Sequence, residues 1–118
     1  TQAQAASLKA ELARRGIAAE TAIAMRYWHP FTSEALDVLR AQGIRRVVVL
    51  PLYPHYSLAT TGSSLNELKR QLKVQRLQDS CEFDFRLVCA YYDDAAFLEA
   101  FADTIRQGIA QGEWSCPP

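Results

Sequence analysis

Residues 47–68 run VVVLPLYPHYSLATTGSSLNEL, and the order of residue types in them is that of a strand turning into a helix. The upstream part, RRVVVLPL (45–52), sets β-branched and leucine side chains side by side without alternation, as expected of a parallel strand covered on both faces. Pro51 and Pro54 break the run, Tyr53, His55 and Tyr56 crowd around the break, and Ser57, Thr60, Thr61, Ser63 and Ser64 supply hydroxyls. SSLNELKRQLKVQRL (63–77) then places Leu65, Leu68 and Leu72 at the spacing of three and four that marks a helix. In open parallel sheets, junctions of this kind at the carboxyl ends of strands hold the ligand.

The pattern continues on both sides. ETAIAMRYW (20–28) fits a largely buried strand. From Thr32 the order Thr-Ser-Glu-Ala offers an N-cap, and Ala35, Leu36, Val38, Leu39 and Ile44 form the apolar stripe of a helix that ends at Gly43. Residues 2–15 read as an amphipathic helix with Gly16 as its stop. Downstream, CEFDFRLVCA (81–90) reads as a third strand, and Asp93 or Asp94 caps a last helix whose apolar face is Phe97, Leu98, Phe101 and Ile105. The tail GEWSCPP ends in two prolines and cannot continue that helix. The order α-β-α-β-α-β-α with short connections predicts an α/β fold, a three-layer parallel sheet flanked by helices, with right-handed crossovers and one lobe over 1–118. A pattern that opens and closes on a helix points to an incomplete lobe cut from a longer chain.

Composition narrows the function classes. A chain of 118 residues makes one domain. Its 13 basic and 13 acidic residues cancel, leaving no global field to draw nucleic acid or an anionic membrane. No apolar run approaches the roughly 20 residues that span a bilayer. Cys81, Cys89 and Cys116 are odd in number and none sits in a C-x-x-C pair. That argues for a reducing, cytoplasmic compartment and against a disulfide framework or zinc site.

Three loops fall on the carboxyl edge of the predicted sheet: MRYWHPF, PLYPHYSLATTGSS and CAYYDDAAF. They gather Tyr27, Trp28, Tyr53, Tyr56, Tyr91 and Tyr92 with Arg26, His29 and His55. Rings beside a guanidinium suit a large flat apolar ligand with acidic substituents, the rings packing on its faces and the arginine pairing with its carboxylates. TTGSS at a helix start either cradles an anion or simply caps the helix. It is not a Walker loop, because Lys69 lies too far into the helix, and no G-x-G-x-x-G supports a dinucleotide. His55, framed by Pro54 and Tyr56, is the one candidate here for catalytic or metal-binding duty.

MRYWHPF, TSEALDVLRAQGI and RRVVVLPLYPHYSLATTGSSLNELKR closely resemble the N-terminal half of the ferrochelatase family, as do TQAQAASLKAEL and AYYDDAAFLEAFADTI. The resemblance covers essentially the whole chain, and its PLYPxYSxxTTGSS core is long and specific. It implies a chelatase-like, flavodoxin/Rossmann-like lobe, part of the N-terminal half of a two-lobe enzyme that inserts Fe2+ into protoporphyrin IX or coproporphyrin III in haem synthesis. The matching positions imply that Arg26 and Tyr27 line the porphyrin cleft and that Tyr53, His55, Tyr56 and Ser57 form the wall near the macrocycle. Thr60 and Thr61, with Ser63 and Ser64, match the polar turn that closes the loop. Many members carry Gln where this chain has His55. Leu58 stands where cluster-bearing members have a cysteine, so iron–sulfur ligation is not implied.

The family's opening strand, and a second lobe bearing an S-A-H-x-L-P histidine and its partner glutamate, match nothing within 1–118; neither His29 nor His55 is that histidine. The resemblance therefore implies no catalytic residue in this segment, and inactivity of the segment alone. The implied partners are porphyrin, ferrous iron and the second lobe, not nucleic acid; the resemblance also admits peripheral membrane association of the whole protein. Two alternatives stand beside it: a stand-alone, non-catalytic tetrapyrrole-binding or self-associating lobe, and a flavin or phosphate binder of flavodoxin type resting on the TTGSS helix start alone.

Overall fold

The computed structural model describes residues 1–76 and 83–112. Helix α1 (Gln2–Arg14) leads through an extended segment to α2 (Thr32–Ala41), strand β1 (Arg46–Val49), a π-helical turn (Leu58–Gly62), α3 (Ser63–Arg76), β2 (Asp84–Leu87) and α4 (Ala95–Gln111). Gly16 and Gly43, with φ of +76° and +70°, follow the ends of α1 and α2 in the left-handed conformation that glycine adopts without penalty.

Strands β1 and β2 pair in parallel, Arg46 opposite Asp84 through Val49 opposite Leu87, and the ladder is extended by Val88 N–H donating to Val49 O at 3.0 Å. The sheet is two-stranded among the described residues. The strand expected over 20–28 is absent. Instead Met25 N–H donates to Pro30 O at 2.7 Å, and a single bridge pairs Met25 with Phe31. The chain loops round and spends Met25's amide on Pro30, so that amide cannot join a ladder. Nor is β1 covered on both faces: Val47 and Val49 are half-buried, whereas Val48 is 67% exposed.

The core is small and centred on α2, where Ala35, Leu36 and Leu39 are buried. The entry to α2 differs from the expected cap. Phe31 is the N-cap, Thr32 is already helical, and the Glu34 carboxylate accepts from Phe31 N–H at 2.5 Å. That bond, and after it the His29 ring, holds the Glu34 carboxyl below its ordinary range. Glu34 thus serves the helix entry by accepting from the N-cap amide, in place of the side-chain cap expected from Thr32. Asp94 caps α4 as expected, its carboxylate accepting from Phe97 N–H at 2.9 Å.

Helices α1 and α4 bury no residue. On α4, Leu98, Phe101, Ile105 and Ile109 all remain half-exposed or more, while Phe97 turns inward, edge-on to Tyr91 with ring centroids 5.4 Å apart. The molecule accordingly has a radius of gyration of 17.3 Å, against roughly 13–14 Å for a compact chain of this length. Among the described residues no helix is long and apolar enough to cross a membrane. The tail from Glu113, and the predicted strand's first residues Cys81 and Glu82, lie outside the described residues.

Candidate functional site

The site is built at the carboxyl ends of β1 and β2, where two loops are tied together. Tyr91 N–H donates to Pro54 O at 3.0 Å, which brings the segment after β2 against the one after β1. His55 then stacks on Tyr92, with ring centroids 5.0 Å apart and planes within 12° of parallel. Tyr53, Tyr56 and Tyr92 each leave about half of their surface open to solvent. Offset stacking of an imidazole on a phenol fixes the ring plane without burying it.

The next segment closes on itself. Ser57 Oγ accepts from Thr60 N–H at 3.2 Å and shares a hydrogen with Thr60 Oγ1 at 2.6 Å. Gly62 N–H reaches back to Ser57 O at 2.9 Å, the wide ring of a π turn. Space is tight at Gly62: a Cβ would lie 3.1 Å from the Tyr56 hydroxyl and 3.3 Å from Ser57 O, so these neighbours would have to give by a few tenths of an ångström. Thr61 is fully buried, and its Oγ1 has no hydrogen-bond partner among the described residues. An orphaned hydroxyl of this kind is rare in folded proteins and costly.

The loop after residue 24 meets this turn from the other side. Arg26 Nε donates to Ser63 Oγ at 3.1 Å, and the Tyr27 hydroxyl lies 3.5 Å from the same oxygen. The Arg26 guanidinium sits over the Tyr27 ring, 4.9 Å from its centroid, a cation–π contact. One turn into α3, Glu67 is paired with Arg70 at 2.7 Å and Gln71 at 2.8 Å. Those bonds lower its carboxyl to about 2, with the Arg26 charge contributing.

Of the residues singled out in the sequence, Arg26 and Tyr27 thus meet at the head of α3, and Ser57, Thr60 and Thr61 form the turn before it. His55 lies with Tyr92 at the strand ends. Among the described residues no hydrogen bond or ring contact joins Arg26 or Tyr27 to Tyr53 or His55; the two groups are linked through the 56–63 turn. His29 is elsewhere: its Nδ1 lies 2.8 Å from Glu34 Oε2 and its ring 4.3 Å from that of Phe31, so it serves the start of α2. Leu58 points outward, 81% exposed. Depressions of about 410 and 360 Å3 lie beside α1, and neither includes Arg26, Tyr27, Tyr53 or His55.

Two pairings escaped the sequence, although all four residues were singled out in it: Tyr92 with His55, and Ser63 with Arg26, a contact that spans 37 positions and has no local signal. No group of three or more His, Cys, Asp and Glu side chains among the described residues could hold a metal ion. What the arrangement offers is an exposed aromatic surface, one forked cation and a ring of hydroxyls.

A family model described as ferrochelatase matches residues 1–115. The chain is 47% identical over 109 residues to a ferrochelatase of Geobacter metallireducens, covering 92% of this chain and 32% of that protein. It is 41% identical over 113 residues to a ferrochelatase of Prochlorococcus marinus, covering 96% and 28% respectively. A ferrochelatase of Synechocystis is 41% identical over 109 residues, covering 92% and 28%. The chain spans 27–32% of the length of the curated relatives it matches. The chain belongs to the ferrochelatase family.

Proposed function

We propose that the whole protein inserts Fe2+ into a porphyrin, protoporphyrin IX or coproporphyrin III, in the cytoplasmic synthesis of haem, and that residues 1–118 supply one wall of the porphyrin cleft. The observation that carries this is the convergence of Arg26 and Tyr27 on Ser63, at the head of the helix into which the Tyr53–Ser57 loop and its turn lead. Family membership supports the reaction; the chemistry of the edge supports the wall. The two strands belong to a three-layer sheet that the rest of the protein completes.

A planar porphyrin shields its nitrogens, and two pyrrole protons must leave before the metal can sit in plane. Holding the ring by its faces and its acidic side chains lets binding energy tilt a pyrrole and expose its lone pair. Rigid rings and proline-framed loops suit that task, with Tyr27, Tyr53 and Tyr56 against the macrocycle and Arg26 on a carboxylate. The hydroxyls of Ser57, Thr60 and Thr61 shape the turn that sets this wall. Fe2+ is a substrate, and the base and metal-handling groups come from the remaining length of the protein, with His55 as this segment's candidate to assist.

Arg26→Ala in the full-length protein is expected to raise the porphyrin KM about tenfold or more, the worth of a charge-assisted pair, with the fold unchanged by circular dichroism. Wild-type kinetics in that variant would remove Arg26 from the cleft, and Fe2+ insertion by residues 1–118 alone would overturn the division of labour.

A further inference from the structure

We infer that Tyr92 is a positioning residue for metal insertion: it braces His55, and through it the Tyr53–Ser57 loop, so that this wall keeps its shape while the porphyrin is bent. This deepens, and rests on, the proposal that the loop belongs to the porphyrin wall. A wall that yields absorbs binding energy in its own deformation, whereas a wall that resists passes that energy to the ligand. Whatever stiffens the loop therefore bears on turnover, without itself touching the substrate.

Burial does little to hold this loop, since His55 is exposed and Tyr53 and Tyr56 leave about half of their surface open. Two contacts on successive residues tie it to the segment after β2 instead. Pro54 O accepts from Tyr91 N–H at 3.0 Å, and the next residue of each segment, His55 and Tyr92, stacks with ring planes 12° apart. The backbone bond fixes the separation of the two segments, and the flat stack fixes their rotation about that bond. Among the described residues this stack is the loop's one ring contact. Tyr92 in turn has a firm seat. Asp94 N–H closes on Tyr91 O at 3.2 Å, the Asp94 carboxylate caps α4 through Phe97 N–H, and the Phe97 ring meets Tyr91 edge-on. On the other side of the loop the Tyr56 hydroxyl lies close against Gly62. A line of contacts thus runs from the start of α4 through Tyr92 and His55 to the turn before α3.

The test uses the full-length protein with protoporphyrin IX and Fe2+ as substrates, and ring-labelled histidine read by NMR, the His55 signals being assigned by their loss in His55→Ala. Tyr92→Leu keeps an apolar side chain but removes the flat face. It is expected to lower kcat about two- to tenfold, the worth of one aromatic pair, with the porphyrin KM unchanged or lower, as when ground-state strain is lost. The His55 ring signals, held upfield by the Tyr92 ring, should move downfield in the same variant. Tyr92→Phe should retain both the signals and the turnover. Tyr92→Leu should add nothing in the His55→Ala background, as for two residues acting as one unit. Unmoved His55 signals in Tyr92→Leu overturn the inference. So does a raised KM at constant kcat, which would put Tyr92 on the substrate itself. Tyr53→Ala tests the wall separately. If it binds and metalates porphyrin like wild type, the wall falls and the brace with it. If Tyr53→Ala is impaired while Tyr92→Leu, its stack broken, turns over like wild type, the wall stands and the brace alone is overturned.

Discussion

At the head of α3, Thr61 is fully buried, Gly62 is closely surrounded, and Ser63 is gripped by a residue 37 positions away. Helix α4, at 17 residues three longer than α3, buries no side chain at all. Both are helices with a clear apolar stripe, so pattern alone does not separate them. What separates them is the source of their partners. The turn before α3 satisfies itself within a few residues, Ser57 with Thr60 and Gly62 with Ser57. The stripe of α4 needs an apolar surface brought from elsewhere, and an amphipathic pattern says which face wants covering without saying what covers it.

The comparison can be broken most directly by truncating one side chain in each kind of environment. Leu36→Ala removes a side chain that is 3% exposed, and should lower unfolding free energy in urea by about 2–3 kcal/mol. Phe101→Ala, at 59% exposure, should cost under about 1 kcal/mol, because little apolar area returns to water. Equal costs would mean that the α4 face is as well covered as the core.

A smaller effect of opposite sign is expected within the closed region. Thr61→Val exchanges an unpartnered buried hydroxyl for a methyl of similar size, and should stabilise the fold by about 1 kcal/mol. Destabilisation in the same urea experiment would show that Oγ1 has a partner in solution.

The smallest effect is electrostatic. Glu11, through Arg14 and then Arg15, and Glu67, chiefly through Arg70, are each lowered from 4.5 to about 2. Both bind fewer protons folded than unfolded near pH 3–4, so their contribution is complete above about 4.5 and fades as the pH falls toward 2. Glu67→Gln should flatten the fall of Tm with acid over that window while leaving Tm near neutrality little changed. An unaltered acid slope would show that the pair adds nothing at this surface.

Much of the element order could be read from the residues, because helices carry their own periodicity. The helix expected from Ser63 runs to Arg76, Asp94 is the cap of the last one, and RRVVVLPL and CEFDFRLVCA contain the strands Arg46–Val49 and Asp84–Leu87. ETAIAMRYW misled because its apolar, β-branched residues satisfy a strand pattern while the amide that matters is taken by Pro30. Val48 misled for a related reason: the run around it specifies a two-sided strand, but covering the second face is a property of neighbours, not of the run. At the candidate site, residue types were legible and pairings were not. Nothing local tells Arg26 that its partner is Ser63, or His55 that Tyr92 lies flat against it.

The π turn has a mechanical meaning as well. Closing Gly62 onto Ser57 across five residues adds one residue to the ring that an α-helix closes with four, and one residue is about 100° of rotation about a helix axis. The turn therefore works as a phase shifter: it dials everything after it by more than a quarter of a circle. Deleting Ala59 would keep every hydroxyl and every residue of α3, yet it would aim the serine at the helix head away from the arginine that now leans on it.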